Sequence, residues 1–192
     1  MKRRIRMEYL DVVDEKGIPT GRTVERKEAH KYGILHRTAH VWLFVKDEDG
    51  IEVMLQKRSE NKDSNPGCYD ISSAGHIPAG DDYIPSAIRE AEEELGICLL
   101  AEEFLYCGQR RIHYCETFHG EVFQDNQVSN VYAVWLKEYP DKLCLQEKEV
   151  AEVLFVKWKD LLQMVEENSI KHCIAKEELE ILEKALCLSS LE

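Results

Sequence analysis

Glu90, Glu93 and Glu94 stand at positions i, i+3 and i+4 of the chain. On an α-helix that spacing brings all three carboxylates to one face. Like charges so close repel one another, so the arrangement calls for a counter-charge. A hard divalent cation with oxygen ligands and retained water, Mg²⁺ or Mn²⁺, meets that need. The chemistry such a site offers is metal-assisted: a bound cation polarises an oxygen-bearing group, and a positioned carboxylate takes a proton from an attacking water. Other reactive residue types are less sharply patterned. His30, His36 and His40 fall within eleven residues, which is not by itself a ligand spacing. Ser72 and Ser73 precede Gly75 without the Gly-x-Ser-x-Gly elbow of a nucleophile, so loop hydrogen bonding is their plainer use.

A helix must hold the carboxylates, and residues 84–95 read as one. Ile84, Ala87, Ile88, Ala91 and Leu95 recur at three- and four-residue steps as a single apolar stripe. Pro85 suits a first turn, Asp81 or Asp82 suits the N-terminus, and Gly96 stands where helices end. Strands are expected over 9–13, 18–27, 38–46, 51–57, 98–106, 128–136 and 153–158, with Asp47-Glu-Asp-Gly50 turning one hairpin. Residues 61–67 are expected as a loop, and amphipathic helices close the chain near 160–167 and 175–188. Trp42 and Tyr132 sit in strand-like runs and are expected as core, while Tyr114 and Phe118 could pack or stack a base. The stripe Leu179, Leu182 and Leu186 is core or a dimer contact. This order of elements predicts an α+β fold, a mixed β-sheet flanked by helices as an α/β/α sandwich.

The carboxylates belong to a longer pattern. Gly75 is followed after five residues by Asp81, and after seven more by Arg89-Glu90-Ala91-Glu92-Glu93-Glu94-Leu95-Gly96-Ile97. A Glu-rich helix face is commonly no more than solvated. The full pattern, however, arises by chance on the order of once in a hundred million windows. It resembles the Nudix box, Gly-x5-Glu-x7-Arg-Glu-U-x-Glu-Glu-x-Gly-U, where U is a bulky apolar residue. It departs at Asp81, where the family has Glu, and at the small Ala91. The resemblance implies a Nudix-like sandwich, Mg²⁺ or Mn²⁺ as cofactor, and hydrolysis of a nucleoside diphosphate linked to another moiety. It implies that Glu93 and Glu94 ligate the metal and that Glu90 is a further ligand or the general base. It gives ligation to the carbonyl of Gly75 and the orienting of the carboxylates to Arg89. Asp81, one methylene shorter than Glu, is left a water-bridged role.

The N-terminal half carries Leu35-His36-Arg37, His40-Val-Trp-Leu43, Gln56-x-Arg58, Lys62 and Asp70-Ile-Ser-Ser-Ala-Gly-His76. Over residues 8–160 it is similar to the Nudix branch that contains isopentenyl-diphosphate isomerase and its hydrolase-like relatives. That resemblance implies a second metal at His30, His36, His76 and Asp125, and diphosphate binding by Arg58 and Lys62. The Cys and Glu with which the isomerase moves a proton fall at Ala74 and Gln127, so hydrolysis is expected instead. An isomerase-like enzyme and a catalytically silent module that binds a nucleotide or a partner protein are the alternatives.

Composition bounds the rest. With 192 residues, 44% of them hydrophobic, the chain is expected to fold as a single domain. Residues 1–36 read as an N-terminal extension and 159–192 as C-terminal helices. The 25 basic against 37 acidic residues give a net charge of -12, which disfavours binding to nucleic acid or an anionic membrane. The expected partner is a small-molecule diphosphate, with a homodimer left open. Seven cysteines with no Cys-x-x-Cys pair predict free thiols and a reducing, cytoplasmic location. The basic stretch 1–6 leads into Glu8, Asp11 and Asp14, unlike a signal peptide. The longest uncharged run, 126–136, is far short of the roughly 20 residues of a membrane span. Substrate choice is expected to lie in a loop over 109–126 and in the N-terminal segment.

Overall fold

Val41, Trp42, Leu43, Phe44 and Val45 form an unbroken apolar run. Such a run marks a strand covered on both faces, and all five are buried. Around it the chain folds as seen in a computed structural model, which describes residues 7–188. The basic stretch 1–6 therefore lies outside the described residues. A hairpin of β1 (Tyr9–Val13) and β2 (Pro19–Glu25) leads into α1 (Arg26–Tyr32). Next come β3 (His36–Asp47), β4 (Gly50–Arg58) and the short β5 (Tyr69–Asp70) and β6 (Ser73–His76). Helix α2 (Tyr83–Leu95) precedes a long hairpin of β7 (Leu105–Phe118) and β8 (Glu121–Leu136). Strand β9 (Val150–Lys157), α3 (Trp158–Glu167) and α4 (Lys176–Leu186) complete the fold.

Seven strands form one mixed sheet in the order β5-β4-β3-β8-β7, with β6 paired to β3 and β9 to β4. The β3–β8 pair is parallel, running from His36↔Gln127 to Val45↔Leu136. Alternate residues of β3 then enter different layers. Trp42 and Phe44 pack with Leu161, Leu179 and Leu182 of α3 and α4. Val41 and Leu43 pack with Ala87, Ala91 and Leu95 of α2. The sheet is thus flanked by helices on both faces, as the sequence predicts. Leu179 and Leu182 are core, with Leu186 packed against them, and Trp42 and Tyr132 are buried. Cys68, Cys98, Cys107, Cys115, Cys144 and Cys173 are free thiols. Among the described residues no helix is long and apolar enough to cross a membrane.

Several local expectations need correction. Residues 98–106 are not a strand. They form an irregular segment with a 3₁₀ turn at Ala101–Glu103, and only Leu105 and Tyr106 belong to β7. Leu99 and Phe104 are anchored in the core, while the Glu103 side chain accepts from the Leu100 N–H at 2.8 Å and closes the turn. Residues 109–126 are a β-hairpin rather than a loop. His119 (φ 50°) and Gly120 (φ 82°) turn it with two left-handed residues, the twist that suits a two-residue hairpin. The strand expected to 27 stops at Glu25, and α1 follows, closed by Gly33 in the left-handed region. Neither aspartate caps α2 through its side chain. Asp82 occupies the N-cap without such a bond, and Asp81 reaches Arg89 instead.

The N-terminal hairpin is not an appendage. Leu10, Val24 and Ala29 make a small core of their own. The Arg37 guanidinium staples this unit to the loop before α2, donating to Asp11 Oδ2 at 3.0 Å and the Asp81 carbonyl at 2.9 Å. Truncating Leu182, fully buried in the cluster of α3, α4 and the sheet, leaves a cavity in the core. Leu182→Ala is expected to cost about 2–5 kcal/mol, read as a lower urea midpoint with an unchanged slope.

Candidate active site

Helix α2 turns its apolar stripe into the sheet, and this rotation decides where each carboxylate goes. Glu93 stays exposed, Glu90 is partly covered, and Glu94 is only 3% exposed. Glu94 is therefore turned from solvent, with its buried helix neighbours Ala91 and Leu95. Its carboxylate accepts a hydrogen bond from Ser73 Oγ of β6 at 3.0 Å, and Lys62 Nζ stands 3.8 Å away. Burial pushes the Glu94 carboxyl up to about 7, against the lowering effect of Lys62. Burial also raises Glu90, although Arg89 opposes it. Gly75 of β6 faces Glu90, and a Cβ there would meet Glu90 Cγ at 2.2 Å. Only glycine lets that side chain lie across the strand. Arg89 Nη2 donates to Glu90 Oε1 at 3.2 Å, and its Nη1 to Asp81 Oδ2 at 3.4 Å. Asp81 thus meets the acidic face through Arg89.

These groups line a cleft of about 870 Å³ together with Arg58, Lys62, His30, His76 and Asp125. Arg58 is already well occupied. It donates to Asp70 Oδ2 at 2.9 Å and twice to the Ser64 carbonyl, so it fixes the loop after β4. Lys62 donates to Glu149. Glu149 is a further carboxylate of the cleft and had no signature in the sequence. Its loop is tied to the end of α2, where Gln146 N–H donates to the Glu94 carbonyl at 3.0 Å and Cys144 N–H to that of Leu95 at 2.9 Å.

His30 comes from α1, His36 from β3 and His76 from β6, yet one nitrogen or another of all three lies within 4.8 Å of the rest. His30 Nε2 and His76 Nε2 are 3.0 Å apart. The Ile34 carbonyl lies 2.8 Å from His36 Nδ1. A carbonyl can only accept, so that nitrogen carries the proton and Nε2 keeps its lone pair. Nε2 is buried with no hydrogen-bond partner among the described residues. Burial holds His30 near about 3, His36 near about 4 and His76 well below its ordinary value. Three neutral imidazoles therefore face one another at pH 7, a donor set that suits a divalent metal. Asp125 Oδ1 lies 3.7 Å from His30 Nδ1 and accepts from Gln127 Nε2.

A carboxylate-bearing helix lies over a sandwiched mixed sheet and faces Arg58 and Lys62 across the cleft. Residues 35–176 match the NUDIX domain family, and the chain belongs to that family. It is 42% identical over 155 residues to Nudix hydrolase 3 of Arabidopsis thaliana, covering 80% of this chain and 20% of the plant protein. It thus spans about a fifth of that relative's length. A Nudix hydrolase of Clostridium acetobutylicum is 32% identical over 159 residues, 83% of this chain and 74% of that one. The fold matches a crystal structure from Deinococcus radiodurans at a TM-score of 0.63 and 17% identity, over 93% of this chain and 99% of that one.

The buried Glu94 makes a pH signature in the metal-free protein. Its folded pKa of about 7 exceeds the ordinary 4.5, so its contribution is present below pH 4.5 and lost as pH rises through about 7. The three histidines act in the opposite sense, losing stability as pH falls below 6.5. The readout is therefore a difference. In EDTA, wild type should lose on the order of 3 kcal/mol relative to Glu94→Gln between pH 4.5 and 8. Parallel melting curves for the two proteins over that range would discard the assignment.

Proposed function

We propose that the cleft hydrolyses the pyrophosphate linkage of a nucleoside diphosphate derivative, using Mg²⁺ or Mn²⁺ held by Glu90, Glu93 and Glu94. The observation that carries this reading is the convergence of those carboxylates with Lys62 and Glu149 in one cleft. Glu94 is desolvated with a single ammonium 3.8 Å away, and more positive charge is what such a site lacks. The residues fit the family's cation. When bound, a divalent cation neutralises the phosphate oxygens and eases attack at phosphorus.

The chain's own groups divide the remaining work. Glu93 and Glu94 hold the cation, with the Gly75 carbonyl beside Glu90 and Glu149 completing the oxygen set. Glu90, steadied by Arg89, accepts the proton of the attacking water. Asp81 acts by steadying Arg89 in turn. Lys62 exchanges its carboxylate partners for the substrate's phosphate. Arg58 keeps the Lys62 loop in place and lends its charge. His30, His36 and His76 hold a second cation, with Asp125 next to it. The N-terminal unit is then part of the catalytic domain, since it supplies His30.

Isomerisation is disfavoured within the same cleft. Moving a double bond needs a proton donor and an acceptor on opposite sides of the carbon chain. Position 74 offers a methyl group and position 127 an amide held between Thr38 and Asp125. The balance of -12 favours a small diphosphate, not a nucleic acid, as partner.

Glu93→Gln and Glu94→Gln should each lower phosphate release from a diphosphate panel at least about 100-fold in Mg²⁺ or Mn²⁺, with circular dichroism unchanged. Near-normal turnover by both variants would reject the reading. His36→Asn should retain about one equivalent less Mn²⁺ than wild type after dialysis, measured by elemental analysis. Equal metal contents would remove the histidine site.

A further inference from the structure

Beyond the carboxylates, the cleft continues over the sheet face, where the strand register sets a second group of polar side chains. His40 is opposite Ala74, and Thr38 and Arg110 both pair with Ser129. Thr38, His40, Ala74, Arg110, Gln127 and Glu178 all line the cavity. Glu178, in the first turn of α4, is the anchor. Its side chain is 1% exposed, and three donors converge on it. These are His40 Nδ1 at 3.0 Å from both oxygens, Trp42 Nε1 at 2.8 Å and Arg110 Nη1 at 3.0 Å. A carboxylate this occupied is a holder, with no capacity left for substrate.

What it holds is the His40 ring. Nδ1 must carry a proton to meet the carboxylate, which fixes the plane and direction of the imidazole. Burial opposes charge on this ring, but the facing carboxylate and its hydrogen bond raise the His40 pKa above the ordinary value. The opposite nitrogen, Nε2, has no protein partner among the described residues, and the side chain is 11% exposed through the cleft. With Nδ1 engaged by the carboxylate, Nε2 is a fixed polar atom without a protein partner among those residues. A hydrocarbon laid against it would strip its water and return nothing, whereas an oxygen would complete the bond.

We infer that His40 is a specificity-determining residue: its Nε2, aimed by Glu178, hydrogen-bonds an oxygen on the organic half of the substrate. His40 then selects oxygen-rich organic groups over hydrocarbon ones. This inference rests on the cleft being the diphosphate site proposed above. It adds the residue that makes that selection.

Isothermal titration calorimetry on the full chain with two uncleavable probes tests it. One is adenosine α,β-methylene diphosphate; the other is the isopentyl ester of methylenediphosphonate. They share the bridged anionic head and differ in the organic group. Wild type is expected to bind the nucleoside probe at least about tenfold more tightly. His40→Leu should erase that advantage while changing the isopentyl affinity less than about twofold, and His40→Gln, which keeps an N–H donor, should recover most of it. Equal or tighter binding of the isopentyl probe by wild type overturns the inference, as does His40→Leu weakening both probes alike. The wild-type comparison decides even if the variants fail to fold. Neither probe can be cleaved, so this outcome is separate from the phosphate-release test of the hydrolase reading.

Discussion

Pressing the stripe of α2 against the sheet forces one carboxylate out of water. Ala87, Ala91 and Leu95 lock the rotation of the helix, and Glu94 is carried with them into a place where it is 3% exposed. An ionised carboxylate there is unfavourable without compensation. The surroundings answer with a hydroxyl from Ser73 and an ammonium from Lys62. Compensation is incomplete, as the raised Glu94 pKa records. A site that holds negative charge under partial neutralisation is poised for added cations. On the proposed reading, the affinity for metal is built into the packing of the helix as much as into its acidic composition.

The opposite wall follows the same logic with other chemistry. Parallel pairing of β3 with β8, and antiparallel pairing of β3 with β6, put His36 and His76 on one sheet face. Helix α1 then lowers His30 onto them, with Phe123 of β8 stacked against its ring. Burial keeps all three rings neutral, so their lone pairs remain usable. On this face the charged Arg110 and Glu178 are paired, and His40 lines the cleft beside them. One cleft thus carries an anion-rich helix side and a histidine-bearing sheet side.

The sequence legible on its own was that of local periodicity and spacing. It determined α2, its buried stripe, the Gly96 terminus, β1, β3 and β4 and the two closing helices, because each depends on residues within a few positions. The hairpin at 105–136 was also encoded, in the alternation of Ile112, Tyr114 and Phe118 and in His119-Gly120. Its polar content hid the signal. The segment 98–106 carried strand-like residues, but Leu99 and Phe104 are used as isolated core anchors, which periodicity cannot distinguish.

Only the tertiary structure decided which distant groups share the cleft. Glu149 lies 55 positions beyond Glu94 and joins it because its loop binds the carbonyls at the end of α2. Glu178 meets His40 across 138 positions, through the docking of α4 on the sheet. Arg58, a plausible phosphate anchor by type, is drawn off by Asp70 and Ser64. Hydrogen bonds and burial act through space at a few ångströms, and chain separation carries no information about them. The sequence by itself thus determined which residue types can do the chemistry on one helix. The fold decided which others stand close enough to take part.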